Sequence, residues 1–385
     1  MNLAEEINQR KTSGLYRERK IINSAQGVQI EIEGQQYLNF SSNDYLGFAN
    51  NEELKVCMIA AIDKYGIGAA SSQLIVGHLT PHKLLEEKLS QFLNRDAALI
   101  FPTGYQANLA IASVLIDSNT VVLQDKLNHA SLIDSALLSK GKLVRYRHND
   151  VENLKTLLEH YKKNNLVVMT DGVFSMDGDY ALLREIAELT KTYNALLIVD
   201  DAHGLGVLGK RGAGLLEELN LDQQQVPIII GTFGKSFGAS GAFVSGSKLH
   251  IEAFIQKART YIYTTALLPS IAATMTRAID LVLEGDNLRK NINDLVLHYK
   301  KQTAGSGLNI GESMSHIQPL IIGKATQALA ASKELYENKI LVTAIRPPTV
   351  PKNTSRLRIS ITAKHTKDQI DLLVASLKTA ARIKE

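Results

Sequence analysis

Beyond Tyr65 the chain alternates between short apolar runs and longer amphipathic stretches. Residues 97–101, 120–124, 166–170, 196–200 and 226–231 have few interior polar positions, and several of these runs are rich in Val and Ile. That pattern suits strands covered on both faces. Between them, Thr80 and Pro81 offer an N-cap and a proline at the first helical position, after which Leu85, Leu89 and Phe92 share one face. Asp150 stands before Leu154, Leu158 and Tyr161 in the same way, and Asp179 before Leu182, Ile186 and Leu189. Strands alternating with helices predict βαβ units, a mainly parallel sheet and an α/β domain.

The flanks carry a different pattern. Residues 1–40 read as a helical arm followed by a strand pair around Gly34, residues 340–345 and 357–361 as strands, and residues 369–383 as a closing amphipathic helix. The expected organisation is an arm over 1–45, a large α/β domain over 46–280 and a smaller α+β domain over 281–385. A chain of 385 residues accommodates this at roughly 150 residues per domain. No internal repeat or low-complexity segment interrupts it.

The first residues, Met1-Asn-Leu-Ala-Glu-Glu6, bring acids where a secretion signal needs basic residues and an apolar stretch. Residues 97–116 are uncharged but contain Pro102, Thr103, Gly104, Gln106 and Asn108, which predicts strand, turn and helix rather than a membrane span. A cytoplasmic protein without a membrane partner is expected.

Charge and cysteine content narrow the chemistry. Forty-three Lys and Arg against 39 Asp and Glu leave +4, too mild and too dispersed for a nucleic-acid-binding stripe. The single cysteine, Cys57, excludes an intramolecular disulfide and a cysteine-rich metal cage. It falls within a helix-like stretch, 53–65, where Leu54, Met58, Ala61 and Ile62 share an apolar face, and reads as a packing residue. Demanding chemistry must therefore come from other side chains or from a cofactor.

Four features fall at the ends of the expected strands, where α/β sheets bind ligands. Phe101-Pro-Thr-Gly-Tyr-Gln-Ala-Asn108 leads from a strand into a helix, with backbone amides available to an anion. Leu196-Leu-Ile-Val-Asp-Asp-Ala-His203 delivers two acids and a histidine. Asp200 and Asp201 point to opposite sides of the strand, so one of them enters a site. Val226-Pro-Ile-Ile-Ile-Gly-Thr-Phe-Gly-Lys235-Ser-Phe-Gly238 places a lysine between glycines just past a strand. Asn128-His129-Ala-Ser131 follows another. A metal site is the obvious rival, but Asp-x-x-His supplies too few ligands.

An amine, a carboxylate, a histidine and an anion cradle are together what pyridoxal 5'-phosphate (PLP) requires. Lys235 would hold its aldehyde, and Asp200 would keep the ring nitrogen protonated so that the ring draws electrons. Gly104, Tyr105 and Thr232 would bind the phosphate, His129 would lie flat on the ring, and His203 would hydrogen-bond the ring oxygen. A competing reading starts from Gly204-Leu-Gly-Val-Leu-Gly209, which fits the G-x-G-x-x-G pattern of dinucleotide-dependent oxidoreductases. In that fingerprint, however, the glycines begin at the strand end, whereas here Asp-Asp-Ala-His intervenes.

Over almost its whole length the chain resembles the α-oxoamine synthases, a branch of the fold type I PLP-dependent transferases. The resemblance rests on Asn39-Phe-Ser-Ser-Asn-Asp-Tyr-Leu-Gly47, His129-Ala-Ser131, Asp171-Gly-Val-Phe-Ser-Met-Asp-Gly-Asp179, Val199-Asp-Asp-Ala-His-Gly204 and Thr232-Phe-Gly-Lys-Ser-Phe-Gly238. It implies a mainly parallel central sheet with a smaller α+β C-terminal domain. It also implies a homodimer that joins an acyl thioester to an amino acid with loss of CO2. Val342-Thr-Ala-Ile-Arg-Pro-Pro-Thr-Val-Pro351 and Arg356-Leu-Arg-Ile359 resemble the members that use L-alanine and a pimeloyl group, carried on coenzyme A or acyl carrier protein.

By this resemblance Lys235, His129, Asp200 and His203 form the catalytic set, and Ser175 contacts the cofactor. Arg358 binds the amino-acid carboxylate. Asn43, His129, Thr349 and Arg17 face substrate, with Arg19 the neighbouring alternative to Arg17. One departure is Gly68-Ala-Ala-Ser-Ser-Gln73, where many relatives carry a glycine-richer stretch with an arginine. Members that use glycine or serine are the alternatives within the family.

Overall fold

The structure, a computed structural model, describes residues 2–381. Its contacts group the chain into two compact units. One comprises Asn51–Phe174 and Tyr180–Asp286; the other comprises Met1–Asn50, Ser175–Asp179 and Asn287–Glu385, of which the described residues are meant here.

The first unit is built on a seven-stranded sheet in the order Ala97–Phe101, Ala242–Gly246, Ile228–Thr232, Leu196–Asp200, Asn165–Asp171, Thr120–Asp125 and Lys142–Tyr146. Only Ala242–Gly246 runs against its neighbours, and the other pairings are parallel. Every residue of Thr120–Asp125 is buried, as are all but the first of Leu196–Asp200, which is why these segments read as unbroken apolar runs. All five predicted strands are present. The last begins at Ile228 rather than at residue 226, consistent with Pro227, which has no N–H to give a ladder. Ala242–Gly246 and the edge strand Lys142–Tyr146 escaped the pattern, the first through its Gly and Ser, the second through its charged ends.

Helix Thr80–Leu93 buries Leu85, Leu89 and Phe92 as expected, but Thr80 is its first helical residue and not its cap. The N–H of Leu79, at the cap position, donates to the Nδ1 of buried His82 (2.9 Å), so the helix start is fastened by a histidine reaching back to the cap residue and not by a threonine oxygen. Asp150 caps Val151–His160 through the N–H of Asn153. The helix after Asp179 starts only at Leu183, with Leu182 and not Asp179 at its cap position. Residues 97–116 form the strand Ala97–Phe101 and the helix Gly104–Leu115, and no helix of the described residues is long and apolar enough to cross a membrane. Cys57 lies half-buried in Glu52–Tyr65, its thiol 3.8 Å from the Ala273 carbonyl.

In the second unit, Gln29–Ile32 and Gln35–Asn39 pair antiparallel around Gly34, and Ile340–Leu341 joins the latter in parallel. Ile317–Gly323, Ser355–Ser360 and Thr343–Ile345 form a second, antiparallel sheet. The single strand expected over 340–345 is thus two, divided at Val342 between two sheets. The parallel pairing also explains why the expected arm packs in the same unit as the C-terminal residues. The closing helix is Lys367–Ala380; the end expected at 383 lies outside the described residues.

Candidate active site

Strand ends bring the first group of predicted residues together. Ala242 pairs with Phe101 on one side and Thr232 on the other, so the turn at Gly104 and the end of Ile228–Thr232 share one edge of the sheet. Gly104 opens the helix Gly104–Leu115, whose cap, Thr103, accepts from the Gln106 N–H. A Cβ added at Gly104 would meet only Ala242 Cβ, at 3.9 Å, so the space above it is open to a ligand. The Tyr105 hydroxyl donates to Asp134, leaving its backbone amide in the first turn. Thr232 Oγ1 donates to the Gly241 carbonyl (3.0 Å) and accepts from the Gly234 N–H (3.1 Å), which shapes the turn carrying half-buried Lys235.

Asp200 ends its strand beside Asp171 and Ile230. Its Oδ1 accepts from the Ala202 N–H (3.1 Å) and its Oδ2 from Asn108 Nδ2 (2.9 Å). The same Asn108 amide reaches Ser131 Oγ (2.8 Å), which lies 2.7 Å from His129 Nδ1. His129 caps the helix Ala130–Leu138, and its own N–H donates to Asp171 Oδ2 (2.8 Å). The protein around the His129 ring, aided by the positive charge of Lys235, lowers its pKa against the pull of Asp200. The ring is therefore held neutral near pH 7. Burial, reinforced by the Asp200 charge, raises the Asp171 carboxyl well above the ordinary range. His203 is buried in the turn after Asp201.

The two adjacent acids do part company. Asp201 is fully buried, its Oδ2 accepting from the Leu215 N–H (2.6 Å), and burial pushes its carboxyl up to about 8. A Cβ at Gly172, Gly204 or Gly214 would lie 2.8, 2.1 or 2.0 Å from its oxygens, so these glycines are the packing surface for this carboxyl. Of the run that suggested a dinucleotide loop, Gly204 is fixed in this way, while a Cβ at Gly209 would lie 2.4 Å from Glu217 Oε2. The three glycine amides of the pattern are committed within the protein, Gly204 to the Asp201 carbonyl, Gly206 to the Gly212 carbonyl and Gly209 to Glu218. None is left for a pyrophosphate.

The remaining predicted residues belong to the other unit. Arg358 projects from Ser355–Ser360 and is buried. Its guanidinium donates to the Ser175 carbonyl (2.5 Å), to Asn43 Oδ1 (3.0 Å), to Ser360 Oγ (2.9 Å) and to the Tyr45 hydroxyl (3.3 Å). The Tyr45 hydroxyl in turn donates to Asn43 Oδ1 (3.0 Å). Arg17 Nη2 reaches Thr349 Oγ1 (3.4 Å), so the arm's Arg17 and the C-terminal threonine, distant in sequence, meet. Arg346 fastens the arm by donating to the Gly14 and Tyr16 carbonyls.

Sequence reasoning did not assign Asn108, Ser131, Asp171 or Tyr45. Asn108 had a visible signal, as the polar residue on the apolar face of Gly104–Leu115 that also carries Ala107 and Ile111.

The donor set fits PLP. A nearly buried Asp200 held by two neutral donors calls for a cationic partner, which a protonated pyridine nitrogen provides. A helix start with an open glycine face suits a phosphate, and a neutral imidazole suits a ring face. The fold and this set define a PLP-dependent transferase of fold type I, and the chain belongs to the aminotransferase class I and II family, whose profile matches residues 35–377. More particularly, it is similar to the 8-amino-7-oxononanoate synthase of Hahella chejuensis, 46% identical across 98% of this chain and 95% of that protein. Among solved structures it is similar to a serine palmitoyltransferase from S. paucimobilis with a bound PLP–myriocin aldimine. That likeness has a TM-score of 0.93 at 30% identity, covering 99% of this chain and 96% of the other. It is also similar to the 8-amino-7-oxononanoate synthase of Francisella tularensis, with a TM-score of 0.79 at 31% identity, covering 89% and 97%.

Proposed function

We propose that the protein condenses L-alanine with a pimeloyl thioester to give 8-amino-7-oxononanoate, CO2 and free thiol, a step of biotin biosynthesis. The observation that carries this is the near full-length likeness to 8-amino-7-oxononanoate synthase at 46% identity. The clustering of Asp200 with Asn108, Ser131 and His129 at one sheet edge supports it.

When bound, PLP supplies an aldehyde to take up the amino acid and a protonated ring to withdraw electrons from its Cα. Asp200 shares a proton with the ring nitrogen, oriented for this by the Ala202 N–H and by Asn108. The amides at Gly104 and Tyr105, with Thr232, receive the phosphate. Neutral His129 would cover the ring without adding a charge that opposes electron withdrawal, and His203 would donate to the ring oxygen. Ser175 would contact the cofactor. The Lys235 amine would hold the cofactor aldehyde and would serve as the base for the alanine Cα proton. Arg358, with Asn43 beside it, binds the alanine carboxylate, and Arg17 and Thr349 contact the acyl substrate. The leaving thiol belongs to the donor, so half-buried Cys57 has no part to play.

The enzyme acts as a cytoplasmic homodimer, with coenzyme A or acyl carrier protein bearing the pimeloyl group. The TM-score of 0.93 to a serine palmitoyltransferase favours a second reading, in which serine is the amino acid. Release of CO2 from alanine, serine and glycine, each paired with pimeloyl-coenzyme A, pimeloyl carrier protein and palmitoyl-coenzyme A, tests both. Alanine with a pimeloyl donor is the expected productive pair. Turnover with serine alone would overturn the proposal.

A further inference from the structure

The helix Gly104–Leu115 presents one polar side chain, Asn108, into a space lined by Ala107, Ile111 and the sheet, and Asn108 is 1% exposed. Its Nδ2 carries two hydrogens and has two acceptors, Ser131 Oγ at 2.8 Å and Asp200 Oδ2 at 2.9 Å. The reverse orientation would set the amide oxygen against a carboxylate, so Asp200 dictates which way the amide points. Ser131 Oγ, accepting from Asn108, retains its single hydrogen and lies 2.7 Å from His129 Nδ1. The backbone N–H of Ser131 also points at that nitrogen, at 3.3 Å. The backbone N–H can only donate, and the hydroxyl has a hydrogen to donate beside it; a nitrogen that accepts from both carries no proton of its own.

We propose that Asn108 and Ser131 are positioning residues that hold His129 as the neutral imidazole protonated at Nε2, while the same Asn108 amide orients Asp200. One buried amide thus sets both the charge state of the ring-covering histidine and the direction of the carboxylate, two elements that arrive on different strands. A doubly protonated His129 would have to turn its Nδ1–H toward the Ser131 backbone N–H, which cannot accept it. The charged groups facing this imidazole are Asp200 and Asp134, which favour its protonation, and Lys235, which opposes it. The contact of His129 with Asp171 is through the backbone N–H and leaves the ring untouched.

The inference rests on the PLP-dependent reading for its purpose, but its first test does not. Nitrogen-15 NMR of the histidines in the full-length, cofactor-free protein reports tautomer and titration directly. Wild-type His129 is expected as the Nε2–H form in about tenfold excess, the ratio one ordinary hydrogen bond sustains. Its titration midpoint is expected below the ordinary histidine value. Ser131→Ala should shrink the excess and raise the midpoint, and Ser131→Thr, which keeps the hydroxyl, should restore both. A wild-type ring protonated at Nδ1, a reading that needs no variant to fold, overturns the proposal. So does a Ser131→Ala spectrum identical to wild type.

In the holoenzyme, Asn108→Leu should lower kcat about tenfold or more while moving the alanine KM by less than about threefold, the split expected for a group acting through Asp200. A change in KM alone would contradict it. Absence of any condensation by the wild-type chain would count against the proposed reaction and leave the NMR result standing.

Discussion

Asp171 and Asp200 sit opposite one another on adjacent parallel strands, and only one of them is placed to act as a counter-ion. Asp200 is held by two donors, whereas burial and the neighbouring charge favour the protonated form of Asp171. The two therefore differ under the same substitution. Asp171→Asn retains an acceptor for the His129 N–H, and its kcat is expected within a few-fold of wild type. Asp200→Asn removes charge from the ring nitrogen's partner and should lower kcat on the order of a hundredfold or more. Steady-state rates of the two variants side by side check this.

Lys235→Ala should fold with a wild-type circular dichroism spectrum, since the half-buried lysine lies in a turn outside the helices and strands. After incubation with PLP and borohydride, wild-type protein is expected to gain one cofactor mass on the peptide containing Lys235, and the variant none. Turnover by the variant at the wild-type rate would be incompatible with the proposed proton transfer.

Glycine substitutions should separate ligand space from packing space. Gly104→Ala meets only Ala242 Cβ at 3.9 Å, so its thermal stability without cofactor should match wild type while PLP affinity falls. Gly214 has φ +92°, and its added Cβ would lie 2.0 Å from Asp201 Oδ2, so Gly214→Ala should unfold at markedly lower denaturant. Thermal melts and PLP titrations of the two variants test the contrast.

Arg358→Lys keeps the charge but cannot reproduce four directed hydrogen bonds. Each buried acceptor left unpaired costs about 1–3 kcal/mol. A lower melting temperature is expected together with an alanine KM raised more than the acyl-donor KM.

Two acids, fully buried Asp201 and half-buried Glu86, give stability a pH dependence. Burial pushes the carboxyls of Glu86 and Asp201 up to about 8. When unfolded, both ionise near the ordinary carboxylate range, about 4. Between these limits the folded state holds more protons, so their stabilising contribution is complete below about pH 4 and is lost as pH rises through about 8. Urea midpoints should fall from about pH 5 to about pH 8.5 through this contribution. Glu86 accepts from the Ile100 N–H (3.2 Å), which Glu86→Gln preserves, so that variant should show a shallower fall.

Residue chemistry and period were enough to find the five buried strands, because a strand covered on both faces needs an unbroken apolar run. They were enough, too, to bring Lys235, Asp200, His129, His203, Gly104 and Thr232 to strand ends, since each follows such a run directly. Boundaries set by a single hydrogen bond were not legible. His82 replaces Thr80 at one cap, and Val342 divides a strand between two sheets. What the tertiary structure alone decided is which polar groups share a proton network. Asn108, Ser131 and Asp200 meet only because two helices and a strand far apart in sequence pack against one another, and no spacing along the chain encodes that encounter. Likewise the glycines after His203 look like a phosphate loop in one dimension, and only folding shows that Gly204 packs on the buried carboxyl of Asp201, Gly209 packs on Glu217, and all three amides have partners within the protein. Local pattern follows from backbone periodicity, whereas the partner of a buried polar group is set by long-range packing.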